Sequence, residues 1–213
     1  NLNTIEKFND FDRTAFFNAK AKDIQETIEK IADKGAHDTD LNSLNTFLLI
    51  TFADLKRHLF SFCSAVPSIK LTGVVVQERN PIGKALKEAD KTTFENNLKA
   101  FIEKHQSDPF PAFFFLNKAF EPHKDFKKYI ESFKDGNPDV LVYVDSYNGP
   151  DKYGQFIYNF LGLLVRLKLK QVPALIIKDF IVKGGAKLAL TKTESVVFDL
   201  AGAQVIFPLL LLH

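Results

Sequence analysis

The stretch that decides the fold runs from residue 110 to residue 177. It reads FPAFFFL at 110–116, PHKDFKKYIESFK at 122–134, VLVYV at 140–144, DKYGQFIYNFLGLLVRLK at 151–168 and PALII at 173–177. The first, third and fifth pieces are short apolar runs, rich in Phe, Val and Ile respectively, the composition of buried strands. In the second piece Phe126, Tyr129, Ile130 and Phe133 recur at helical spacing, and in the fourth Phe156, Phe160, Leu161, Leu164 and Leu167 do the same. The order strand, helix, strand, helix, strand predicts parallel strands joined by right-handed crossovers, with helices covering the sheet. The fold class is therefore α/β (or α+β): a mixed, largely parallel central sheet covered by helices.

Towards the N-terminus, Phe16, Phe17, Ala21, Ile24, Ile28 and Ile31 mark an amphipathic helix with Asp12 as its N-cap and Gly35 as its stop. Residues 44–69 change pattern. Phe47 to Ile50 and Phe52 form one apolar run; Phe60, Phe62, Ser64 and Val66 share one alternating face of another. Ala53-Asp54-Leu55-Lys56-Arg57 lies between them and reads as a turn, so two strands are expected, with one long helix as the rival reading. Val74–Val76 is a short strand, and Asn80-Pro81 opens a helical stretch. Thr92 with Glu95 fits a capping box that launches the next helix. Beyond Lys183-Gly184-Gly185 the helical signal ends, and residues 187–190, 195–200 and 204–211 read as antiparallel strand additions.

Composition narrows the function. The chain has 213 residues, 46% of them apolar, and 28 Lys and Arg balance 26 Asp and Glu for a net charge of +2. That is a folding composition without the electrostatic footprint of a nucleic-acid binder. The longest apolar stretch, 205–212, is far short of the roughly 20 residues needed for a spanning helix, so no membrane insertion is expected. Cys63 is the single thiol and is expected to be a buried small hydrophobe. The five histidines lack the four-residue pairing of zinc motifs, and Lys183 to Lys187 lacks the order of a phosphate loop. His58 is expected in a turn. Asp145 ends a strand ahead of Ser146-Tyr147-Asn148-Gly149, where α/β folds place ligands, and Lys178 is expected nearby across the sheet. An acid–base role for Asp145 in a small-molecule enzyme and plain turn chemistry both fit.

Three collinear motifs carry a resemblance. Leu44, Phe47–Ile50, Thr51-Phe52-Ala53-Asp54-Leu55-Lys56-Arg57, Phe60 and Pro67 resemble a Phe-Ala-Asp-Leu-Lys-Lys, aromatics, Pro block. Asn1-Leu2-Asn3-Thr4 with the helix behind it resembles an Asn-Thr-Asn-Thr segment. Asp145, Asn148, Gly154 and Tyr158-Asn159-Phe160-Leu161 resemble an Asp-Pro-Cys-Asn and Gly-Trp-Pro-Leu-Arg-Asn-Phe-Leu pattern. All three are similar to the N-terminal domain of the homodimeric E1-like activating enzyme of autophagy. Gln25, Cys63 and Gln155 stand where that family carries Trp, and Tyr158 where it carries Arg.

The resemblance implies a single domain over 1–213, cytoplasmic and monomeric as a fragment, lacking its first segment and the adenylation domain that follows. It implies no catalytic residue and no cofactor here, since ATP and zinc belong to that adenylation domain. The implied role is to bind the E2-like conjugating enzymes so that ubiquitin-like modifiers pass from the E1 thioester to the E2 cysteine. Lys56, Arg57, Phe156, Tyr158 and Asn159 are the candidate partner-binding residues, chosen by motif position and because aromatic and Arg side chains dominate interfaces. A scaffold domain that packs residues 204–212 against a neighbouring domain is a further alternative.

Overall fold

A computed structural model describes residues 4–33, 41–105, 112–145, 153–178, 180–181, 187–188 and 192–206. In chain order the elements are α1 (Ile5–Asn9), α2 (Arg13–Asp33), β1 (Leu48–Asp54), β2 (Leu59–Ala65), β3 (Lys70–Thr72), β4 (Val75–Pro81), α3 (Ile82–Ala85) and α4 (Glu88–Lys104). They continue with β5 (Phe113–Leu116), β6 (Pro122–His123), α5 (Phe126–Ser132), β7 (Val140–Val144), α6 (Phe156–Arg166), β8 (Gln171–Ile177), β9 (Phe180–Ile181), β10 (Lys187–Leu188), β11 (Glu194–Asp199) and β12 (Gln204–Ile206).

The centre is a six-stranded mixed sheet in the order β4-β11-β8-β7-β5-β6. Because side chains alternate across a strand, β5, β7 and β8 each serve two cores. Phe113, Phe115, Leu141, Tyr143, Ala174 and Ile176 face α2, α5 and α6, together with Ile28, Tyr129, Phe160 and Leu164. Phe114, Leu116, Val142, Leu175 and Ile177 face the other way, against Phe94, Leu98, Phe101 and Ile102 of α4 and Ile82 of α3. Both faces are covered, which is why these strands read as unbroken apolar runs.

The α/β class stands, with helices on a mixed sheet and antiparallel β11 and β12 added late. Parallel pairing is narrower than expected, because among the described residues only β7 and β8 pair parallel, joined by α6, whereas β5 pairs antiparallel with β7. The cause is β6. Residues 122–134 read as one helix, but Pro122 and His123 form a strand that turns back along β5, so the chain reaches β7 already reversed. Helix α5 begins only after Asp125, whose side chain accepts from Lys128 N–H at 2.9 Å. Thr92 is likewise no cap. Residues Leu86 and Lys87 are extended, α4 starts at Glu88 with two acids in its first turn, as the helix dipole favours, and Thr92 Oγ1 donates back to Glu88 O.

Helix α2 forms as expected, with Asp12 Oδ1 accepting from Ala15 N–H at 2.8 Å. The segment 44–69 is an antiparallel hairpin, not a helix. Residues 34–40, the Lys183-Gly184-Gly185 turn and residues 207–213 lie outside the described residues.

Candidate protein-interaction surface

The β1–β2 hairpin forms its own two-stranded sheet beside the main one. Its turn is built by Asp54, whose Oδ1 accepts from the N–H of Lys56 and of Arg57 at 3.1 and 3.2 Å. His58 completes the turn with a φ of 53°, and Lys56, Arg57 and His58 all stand exposed at the tip. The register places Ala53 opposite Phe60, Thr51 opposite Phe62 and Leu49 opposite Ser64 on one face. Ile50 opposite Cys63 and Leu48 opposite Ala65 lie on the other.

The first face looks outward. Phe62 is 71% exposed, Phe60 69%, Phe47 60% and Leu49 54%. Leu55 and Leu59 add exposed apolar surface at the tip. Leu49, Phe60 and Phe62 on one ribbon face, with Phe47 exposed just before β1 and cations at the tip, form an apolar patch of the kind that marks a binding site. The second face looks inward, with Ile50 buried and Cys63 half-buried. Full burial was expected for Cys63, but a two-stranded ribbon leaves its thiol only partly covered.

The five candidate partner-binding residues do not form one site. Lys56 and Arg57 lie at the hairpin tip, about 20 Å of strand from the root, at roughly 3.3 Å per residue over seven residues. Phe156 and Tyr158 are half-buried at the start of α6, packed against the core. Burial and the neighbouring Asp145 carboxylate hold the Tyr158 phenol above its usual range. Asn159 is a correction. It is 0% exposed and cannot meet a partner. Its Oδ1 accepts from Ile69 N–H, and its Nδ2 donates to Leu44 O and Pro67 O, each at 3.0 Å.

Asp145 is also buried, at 1% exposure. One oxygen accepts from Gly154 N–H at 3.0 Å and the other from the Tyr143 hydroxyl at 3.4 Å. Its own N–H donates to Ile177 O, which sets it beside Lys178 across the parallel pair as expected. Lys178 and Arg79 both reach Glu194, at 3.5 and 3.0 Å, over the Tyr153 ring. Asp145 therefore holds the start of α6 in place, which is the turn-chemistry reading of this residue.

Residues 1–206 match the family described as the N-terminus of the ubiquitin-like modifier-activating enzyme ATG7. The chain belongs to that family. Among relatives named ubiquitin-like modifier-activating enzyme ATG7, that of Rattus norvegicus is 35% identical over 83 residues, 39% of this chain and 11% of the relative. That of Candida albicans is 24% identical over 142 residues, 61% of this chain and 21% of the relative. That of Dictyostelium discoideum is 33% identical over 69 residues, 32% and 9% respectively. The chain thus spans about a fifth or less of the curated relatives it matches.

Within this ATG7 N-terminal fold the motif residues meet in pairs. Asp145 and Gly154 touch, and Asn159 binds the carbonyl of Pro67, the proline that closes the hairpin block. Sequence reading missed Phe47, Leu49 and Phe62 as surface residues. The available signal was the alternation through Phe60 and Phe62, which defines a face without telling which way it looks.

Proposed function

We propose that this chain is the part of an autophagy E1-like enzyme that recruits E2-like conjugating enzymes, and that the outward face of the β1–β2 hairpin is the docking surface. The observation that carries the reading is the row Leu49, Phe60 and Phe62, exposed together on one ribbon face, with Phe47 exposed just before β1. Lys56 and Arg57 at its end favour a partner segment that is apolar in the middle and acidic at one flank. Nucleotide, zinc and the thioester cysteine belong, on this reading, to the adenylation domain, and this chain contributes position and no chemistry.

Calorimetric titration with the conjugating enzymes of the same organism tests it. The parent chain is expected to bind with micromolar affinity. Phe62→Asp places a charge at the centre of the face and should weaken binding about tenfold or more, the scale of a central aromatic anchor, while leaving the melting temperature nearly unchanged. Equal affinity of the parent and a folded Phe62→Asp variant would remove the hairpin from the interface, and no binding by the parent would remove the recruiting role.

A further inference from the structure

An isolated two-stranded ribbon is marginally stable, so a docking face built on one points in a defined direction only if its root is held. The two chain ends of the hairpin, Leu44 before β1 and Pro67-Ser68-Ile69 after β2, both return to α6. Facing them are Gln155, which precedes α6 with helical backbone angles, and Asn159 and Gly162 on α6, at i, i+4 and i+7, which is a single stripe along the helix.

Each member of the stripe meets the root. Gln155 Oε1 accepts from Ser68 Oγ at 2.9 Å. Asn159 spends its three contacts on both chain ends at once, one carbonyl before β1 and one carbonyl and one N–H after β2. Gly162 leaves the space that Ile69 fills: a Cβ there would overlap Ile69 Cδ1. Ile69 and Leu44 are themselves buried in the core that α6 shares with the sheet. The hydrogen bonds span 87 to 115 residues of sequence, so they are tertiary clamps and not local turn chemistry.

We infer that α6 sets the direction of the hairpin through this stripe, which makes Asn159 and Gly162 positioning residues of the docking face although neither touches a partner. How the ribbon is held stands on the geometry alone; that this matters for recruitment rests on the function proposed above. Losing the clamp loosens both ends of the ribbon together, because one side chain ties both. The apolar face then keeps its residues and loses its orientation, and a partner must supply the ordering at the cost of affinity.

Two readouts separate the inference from the recruiting reading. Spin labels at Ser64→Cys on the hairpin and Lys99→Cys on α4, in a Cys63→Ser background, report hairpin direction without any partner. One narrow distance distribution is expected for the otherwise unchanged chain, and a broadened or displaced one for Asn159→Ala and Gly162→Ala, with slow amide exchange retained in β7 and β8. Affinity for the conjugating enzymes should fall about fivefold or more in both variants. An unchanged distance distribution in either folded variant overturns the inference, as does a broadened one with parental affinity. If the parent binds no conjugating enzyme, the recruiting reading fails and the distance readout still decides how the hairpin is held. Amide exchange in the parent needs no variant: Ile69 N–H, whose acceptor is Asn159 Oδ1, should exchange as slowly as the amides of β8, and fast exchange there overturns the clamp.

Discussion

Asp145 and Gly154 are nine residues apart and depend on each other. A Cβ at position 154 would lie 2.6 Å from Asp145 Oδ1 and 2.7 Å from the Tyr143 hydroxyl, closer than real contacts allow, and both neighbours are fixed in the core. Gly154→Ala should therefore cost about 1–3 kcal/mol, the range for overpacking a filled site, measured by denaturant unfolding. Tyr129 makes the opposite case. Its ring stacks on Phe115 at 4.1 Å and meets Phe133 edge-on at 5.2 Å, while its hydroxyl is buried without a hydrogen-bond partner among the described residues. Removing an unpaired buried hydroxyl keeps the packing and relieves its desolvation, so Tyr129→Phe should be as stable as the parent or up to about 1 kcal/mol more stable. A loss above about 1 kcal/mol would show that the hydroxyl has a partner after all.

At the level of elements, the hairpin displays what was legible and what was not. Its two strands and charged turn follow from the break at Asp54 to Arg57 between two apolar runs. The direction of its faces does not follow, because both are apolar: Leu48, Ile50 and Phe52 on one side, Phe47, Leu49, Phe60 and Phe62 on the other. Period two separates the faces, and only tertiary packing chooses which is covered. The same limit explains β6, since two residues ahead of a helical pattern carry too little signal to read as a strand, yet they reverse the chain. It also explains Asn159, which looked like an interface residue by motif and type and was placed in the interior by contacts 90 or more residues away in sequence. Side chains that already stand in water give little stability. The double variant Phe60→Ser, Phe62→Ser should thus unfold within about 0.5 kcal/mol of the parent and show less aggregation and less binding of an apolar dye. A large destabilisation would mean that the outward face is packed in the folded chain.

For the molecule as a whole, the phenols connect the core to pH. Tyr129 on α5 and Tyr143 on β7 lie in the same core beneath α6, and burial together with Asp139 for the first and Asp145 for the second raises both well above the ordinary tyrosine range. In the unfolded chain each titrates near pH 10. The folded chain therefore holds more protons than the unfolded one above that pH, and the stability these groups contribute is complete below about pH 10 and lost as pH rises beyond it. For two such groups the loss by pH 11 is about 3 kcal/mol, a large part of the usual 5–15 kcal/mol of a domain. Unfolding free energy should fall steeply between pH 10 and 11, and the phenolate absorbance of these two residues should appear together with loss of secondary structure. Burial beneath α5 and α6 favours the protonated form of both rings, so phenolate signal from them in the still-folded chain would show that this face of the core opens separately from the rest. In Tyr129→Phe the same fall should be shallower, because one of the linked protons is gone.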